Sequence, residues 1–309
     1  MATVKNKRNK ITAVIIAAAA TVAIVLIIVL IATGSGSHGD FSEGLEYLSS
    51  LEARSPSQVR EILNDRKRAA ILSDVLSDLG LSSLQGEIGD ELSDEELENI
   101  ILEAVDKKRQ RMLDGEEDIW SQITDFVLFG DSRTGGFWTN TDLPVERVLA
   151  ESGATIRDLE DHIDEIVAFA PVNLIISVGM NDISSADVYE GFWETSDEYI
   201  AEYEEIIGQI REALPDVNIF ICATFTAKDP AFERSTRWYH IPEWNEAVRE
   251  MCDRLDMFYI SEDNIEEEHP EFWGEDGIHF SGGIYRYWGA NIACGIYEYN
   301  LRQSLADLL

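Results

Sequence analysis

The sequence is short of positive charge: 24 Lys and Arg stand against 59 Asp and Glu in 309 residues, a formal net charge of −35. Binding along a nucleic-acid backbone needs clustered cations to displace counterions, so this balance excludes it. Adhesion to an anionic membrane surface through a basic face is excluded on the same ground. Cysteine is scarce as well. Cys222, Cys252 and Cys294 are too few and too widely spaced for a metal-ligand set or a disulfide framework, and they read as buried thiols. Only seven prolines and a 45% share of hydrophobic residues set the chain apart from a disordered acidic tail. Its length suits one large domain, or one domain with a smaller appendage.

The first stretch lacks acids altogether, since none occurs before Asp40. Lys5, Lys7, Arg8 and Lys10 make a basic head, residues 1–10. Residues 11–33, Ile11 to Thr33, follow without a single charge. Such a run, at about 1.5 Å rise per residue, spans the roughly 30 Å hydrocarbon core of a bilayer. Cations on its N-terminal side hold that end in the cytoplasm and send the remainder outside. The expectation is a single-pass signal anchor in the cell membrane. The alternative is a cleaved signal peptide with its site near Gly34, which would make the protein secreted. The apolar run is longer than the roughly 7–15 residues of a signal-peptide core, which favours the anchor.

Residues 34–40 read as a flexible tether and residues 41–120 as a helical stalk or packing appendage. Ser55-Pro56-Ser57-Gln58 is a helix start, with a cap residue followed by proline at the first helical position. Ser93-x-x-Glu96 is a capping box ahead of Leu97, Ile100, Ile101 and Val105 on one face. From Ile123 short β-rich runs alternate with amphipathic stretches. Strands are expected at Phe126–Phe129, Arg147–Ala150, Leu174–Val178, Ile219–Thr224 and Met257–Ile260. Helices are expected at Ile156–Phe169, Ser196–Leu214, Pro242–Leu255 and Gly283–Leu301. This alternation predicts, over residues 121–309, an α/β domain with a parallel sheet covered on both faces. Ligands of such sheets bind at the carboxyl ends of the strands, so the loops after each strand carry the function.

Four of those loops hold candidate chemistry. The first strand runs into Gly130-Asp131-Ser132-Arg133, where a serine points into the crevice and Gly130 permits a sharp turn. The second ends near Gly153, whose backbone N–H is a potential donor. The third ends in Gly179-Met180-Asn181-Asp182, whose side-chain amide can donate to a developing oxyanion. After the fifth comes Asp276-Gly277-Ile278-His279. Asp and His three apart in a turn can face each other, the carboxylate holding Nδ1–H while Nε2 looks outward as a general base. Each piece alone is compatible with an ordinary turn.

In this order G-D-S, Gly, G-x-N-D and D-x-x-H resemble the SGNH (GDSL-like) hydrolase superfamily, from about Asp125 to Asn300. The resemblance implies a flavodoxin-like three-layer sandwich on a five-stranded parallel sheet, and serine esterase activity without a cofactor; without a second His or a Cys at ligand spacing, no metal site is expected. It implies that Ser132 is the nucleophile and His279 the base, oriented by Asp276. The oxyanion hole would comprise the N–H groups of Ser132 and Gly153 and the side chain of Asn181. The block reads G-D-S-R without the leucine of the family's nickname, which places Arg133 to reach the crevice. Asp131 and Asp182 are expected to brace their loops through side-chain-to-backbone bonds. The GDSRTGG opening, and DGIHFS followed by Tyr285, look most like membrane-anchored or secreted bacterial members acting at the cell envelope.

The implied substrate is an O-acylated glycan or another ester, with carbohydrate O-acetylesterase as the leading activity. Lipase or lysophospholipase, O-acetyltransferase and non-catalytic envelope binding module are the alternatives. Phe192, Trp193, Phe225, Phe232, Trp238, Tyr239 and Trp244 suit sugar rings, acyl chains and core packing alike. Of the remaining histidines, His38 is in the tether, His162 reads as a solvated face residue, and His240 and His269 lie in loops near prolines. Glu266-Glu267-Glu268 reads as a solvated charge run. Oligomeric state leaves no mark in the sequence.

Overall fold

The computed structural model describes residues 93–306 and, before them, Ser73 and residues 75–77. These lie in the second of two compact units, Asn64–Leu309. The expected basic head, membrane anchor, tether and Ser55 helix start lie outside the described residues. Among the described residues no helix is long and apolar enough to cross a membrane.

Five strands, β1 (Phe126–Gly130), β2 (Val148–Ala150), β3 (Asn173–Ser177), β4 (Asn218–Cys222) and β5 (Phe258–Ile260), form one sheet in the order β2-β1-β3-β4-β5. Every pairing is parallel, with Leu128 beside Val148 and Ile175, and Phe220 beside Phe258. A parallel sheet is covered on both faces, which is why FVLF and LII are unbroken apolar runs instead of alternating ones. All five residues of β1 and of β3 are buried. The strand order reverses between β1 and β3, and the crevice at such a switch point is where α/β sheets bind ligands.

Nine helices of the described residues surround the sheet: α1 (Asp94–Asp114), α2 (Phe137–Asn140), α3 (Ile156–Asp161), α4 (Ile163–Phe169), α5 (Met180–Ser185), α6 (Ser196–Ala213), α7 (Ile241–Arg254), α8 (Asp263–Glu268) and α9 (Ile284–Ala306). Val127, Phe129, Leu174, Ile176, Ile219 and Ile221 face a core closed by α3, α4, α6 and α7. The intervening residues, Phe126, Leu128, Ile175 and Phe220, face a second core closed mainly by α9. On α6 the buried set is Tyr199, Tyr203, Ile206, Ile207 and Ile210, the i, i+4, i+7, i+8 stripe of a helix lying on a sheet. Each of the three isoleucines contributes roughly 1.5–3 kcal/mol by burial.

The capping box at Ser93 starts α1 as expected: Ser93 N donates to Glu96 Oε2 at 2.9 Å and Glu96 N to Ser93 Oγ at 3.3 Å. Gly115, with φ 80°, ends it. Although α1 falls in the expected helical appendage, it packs on α9. Ile101 and Ala104 meet Leu301, Leu305 and Val75, and Met112 enters the core behind the sheet. So α9 lies between α1 and the strands, and it is apolar on two sides instead of one.

One helix boundary departs from expectation. Ile156–Phe169 is broken at His162, which caps α3 and precedes α4. Its ring sits 5.3 Å from Phe129, and its nitrogens meet Glu151 at 3.0 Å and Glu165 at 3.3 Å. His162 is therefore a packed residue held between two carboxylates and not a solvated face. All three cysteines are free and buried. Burial pushes the Cys222 thiol well above its ordinary value and those of Cys252 and Cys294 up to about 12, so none is a nucleophile.

Candidate active site

The loop after β1 is tight because Gly130 has no side chain. A Cβ there would lie 2.1 Å from Thr134 Oγ1 and 2.6 Å from the Ser177 carbonyl. The requirement is one of space between β1 and β3 and not, as expected from sequence, of unusual turn angles. Asp131 Oδ1 then accepts from Arg133 N at 2.9 Å, and Tyr285 donates from its hydroxyl to the Arg133 carbonyl at 2.7 Å. These two bonds hold the backbone N–H and C=O of Arg133, directly after Ser132.

The Asp276–His279 turn is held with equal firmness. Gly277, with φ 70°, lies against Lys228, where a Cβ would come within 2.0 Å of the carbonyl oxygen. Asp276 Oδ1 accepts from the backbone N–H groups of Ile278 and His279, each at 3.0 Å. Its other oxygen, Oδ2, lies 2.6 Å from His279 Nδ1. His279 Nε2 in turn lies 3.0 Å from Ser132 Oγ, a residue 147 positions away in the chain. With Nδ1–H donated to the carboxylate, Nε2 carries the lone pair and accepts from the serine hydroxyl. Burial works against the charge on Asp276, but the bonds from His279 and Ile278 outweigh it and hold the carboxyl down at about 2. Asp276 is thus an anion at any pH near neutrality.

Asn181 stands in the first turn of α5, an element not read from the sequence. One of its amide hydrogens goes to the Ala154 carbonyl at 3.0 Å, which ties β3's loop to β2's. An amide has two, so a second remains to donate. Ser132, Gly153, Asn181 and His279 line one cavity of about 390 Å³. Its remaining wall includes Asp131, Arg133 and Trp238, which the sequence singled out, and Ser152, Ser184, Asp187, Arg234 and Ser235, which it did not. Asp187, Arg234 and Ser235 lie in long loops after β3 and β4, where no periodicity marks which side chain faces inward. A larger groove of about 660 Å³ runs along α6 past Glu198, Glu202 and Glu205, and holds none of these four residues.

Arg133 does not deliver its charge to the crevice as expected. Its guanidinium is turned inward, with Nη1 donating to the Phe225 carbonyl at 3.3 Å. The Phe225 and Phe280 rings flank it at 6.0 and 5.4 Å. Burial pulls its pKa down while the neighbouring Asp131 carboxylate works against that.

Asp182 braces its loop as expected, accepting from Ile156 N at 2.7 Å, while its Oδ2 is buried without a partner. Burial raises the carboxyl to about 7, against the Ile156 bond and with help from the nearby Asp131 charge. A carboxyl whose folded pKa exceeds its unfolded value of about 3.9 contributes stability below that value and loses it as pH rises through the folded one. Relative to Asp182→Asn, which keeps the Ile156 acceptor, the native protein should lose on the order of a few kcal/mol between about pH 4 and pH 7. Urea unfolding of both proteins at about pH 5 and pH 8 measures this, and a pH-independent difference would refute it.

The geometry, then, is a serine, a histidine and an aspartate in line at the switch point of a parallel sheet. A family model described as GDSL-like lipase/acylhydrolase matches residues 128–287, just over half of the 309 residues. The chain belongs to that family. The match runs from β1 through the Asp276–His279 turn, and the SGNH resemblance of the sequence holds. A GDSL-like protein from Parabacteroides merdae is 20% identical with a TM-score of 0.46, covering 57% of this chain and 95% of its own. A lipase/acylhydrolase from Enterococcus faecalis is 23% identical with a TM-score of 0.42, covering 54% of this chain and 92% of its own. An acetyl xylan esterase from Geobacillus stearothermophilus is 18% identical with a TM-score of 0.42, covering 58% and 95%. No curated protein matches the chain.

Proposed function

We propose that this GDSL-like acylhydrolase is an extracytoplasmic serine esterase that removes O-acetyl groups from a carbohydrate of the cell envelope or another source. The observation that carries the reading is the continuous relay from Ser132 Oγ through His279 to Asp276, at 3.0 and 2.6 Å. Ser132 Oγ attacks the ester carbonyl as His279 Nε2 takes its proton. The resulting oxyanion accepts hydrogen bonds from Ser132 N–H, Gly153 N–H and the free amide hydrogen of Asn181. Collapse breaks the bond to the alcohol oxygen, which leaves with the proton from His279. Water, deprotonated by His279, then attacks the acyl-serine and releases the carboxylic acid and Ser132. No cofactor enters this sequence.

A small acyl group is supported by the walls of the cavity, where Ser152, Ser184 and Ser235 interrupt the apolar surface that a long chain would need. The extracytoplasmic location rests on the basic head and the uncharged run Ile11–Thr33. The test is hydrolysis of nitrophenyl esters of increasing chain length by the full chain, with Ser132→Ala as background. Serine-dependent activity should be highest on acetate and fall steeply with chain length. A preference for long acyl chains would replace this reading with a lipase one. Transfer of the acetyl group to an added sugar in place of water would make the protein a transferase.

A further inference from the structure

The cavity beside Ser132 holds one cation that no carboxylate or carbonyl among the described residues answers. Its charged lining residues, His279 aside, are Asp131, Arg133, Asp187 and Arg234. Asp131 and Arg133 face each other at 3.8 Å, both buried. Asp187 accepts from Arg237 Nε at 3.0 Å and from the Ser235 hydroxyl. Arg234 has no such partner. Every other arginine among the described residues donates to a carboxylate, a carbonyl or a side-chain amide oxygen. In a chain with 59 acids, an arginine without a carboxylate within reach stands out chemically.

The neighbourhood also presents this guanidinium for use. It lies 5.9 Å from the Trp238 ring centroid. That ring is itself held, buried and donating from Nε1 to the Met180 carbonyl at 2.8 Å. A cation over an aromatic face uses the plane of the guanidinium and leaves its N–H edge open. A planar fork of N–H donors suits an oxyanion with two oxygens in one plane. The same cavity also carries Ser152, Ser184 and Ser235 in its wall, polar groups that suit a polar alcohol better than a lipid.

We propose that Arg234 binds a carboxylate on the alcohol half of the substrate, so that the ester cleaved at Ser132 belongs to an acidic carbohydrate such as a uronic acid unit. This rests on the esterase reading above and adds the class of alcohol. Arg234 is a specificity residue here: it touches substrate away from the carbonyl, and its signature is the choice between substrates.

The experiment compares mono-O-acetylated methyl glycosides of glucuronic acid and of glucose, which differ only at C6, as substrates of the full chain. The wild type should favour the uronate by about 10- to 100-fold in kcat/KM, the range of a hydrogen bond between charged groups. Arg234→Ala should bring the ratio to about 1, Arg234→Glu should invert it, and Arg234→Lys should keep part of it as a point charge without the fork. Equal wild-type rates, or a preference that survives Arg234→Ala and Arg234→Glu, would overturn the proposal. So would an Arg234-dependent preference for acetylated glycerol 3-phosphate over the uronate, which points to a phosphate-bearing lipid alcohol instead. Binding of unacetylated methyl glucuronoside, read by ligand NMR on the same proteins, needs no turnover. If no ester is cleaved, the esterase reading fails, and Arg234-dependent binding still decides the carboxylate site: present it supports the site, absent it removes it.

Discussion

Ser132→Ala is expected to lower kcat for acetate ester hydrolysis by about 10⁶-fold, and His279→Ala by a similar factor. The two losses should not add. The hydroxyl of Ser132 is a poor nucleophile until His279 Nε2, at 3.0 Å, accepts its proton, so each group is idle without the other. The double variant should therefore be about as slow as either single one, leaving only the acceleration supplied by the oxyanion donors. Single-turnover hydrolysis of nitrophenyl acetate by the two single variants and the double variant measures this. Losses that multiply would show two independent contributions and sink the relay.

Asp276→Asn should cost about 10⁴-fold in kcat, and the reason lies in how the carboxylate is used. Asp276 Oδ1 already accepts from Ile278 N and His279 N, so the asparagine carbonyl takes over that oxygen's place and the turn keeps its shape. Its amide nitrogen then faces His279 Nδ1, where the Oδ2 carboxylate oxygen stood at 2.6 Å. Two donors cannot face each other, so the imidazole gives up its Nδ1 proton and carries the hydrogen on Nε2, turned toward Ser132. A base in that tautomer cannot accept the serine's proton. Nitrogen-resolved NMR of His279 should report the change of tautomer alongside the kinetic loss, and a loss below about 100-fold would show that the carboxylate is incidental. With its carboxyl held down at about 2, Asp276 stays ionised as the solution is acidified. The depressed carboxyl also contributes folding stability that is present above its unfolded pKa of about 3.9 and lost as pH falls through about 2.

Much of this architecture could be read from the chain. The expected strands each contain or overlap an observed one within a few residues, because a strand buried on both faces is a local run of apolar residues between turn residues. The capping box at Ser93 and the long helices α6, α7 and α9 were legible for the same reason: caps and periodicity are short-range signals. The short α5 was not, since its six residues carry too little pattern, and it is held by Trp238 from a distant loop. The break at His162 was equally hidden, because it answers to Phe129 and Glu151 on another element.

The candidate site divides along the same line. Residue type and order determined, from the sequence alone, that Ser132, Gly153 and Asn181 follow strand ends, that Asp276 and His279 come after the last strand, and that a parallel sheet gathers its strand ends at one edge. That α8 intervenes between β5 and the Asp276 turn was not legible there. Only the tertiary structure decided which charges are spent and which remain free. Arg133, next to the serine in sequence, is turned inward onto the Phe225 carbonyl, while Arg234, a hundred residues on, keeps its charge at the cavity wall. Sequence adjacency sets neither outcome. A guanidinium goes where an acceptor and a ring compensate its desolvation, and those partners arrive from other strands only when the sheet is assembled.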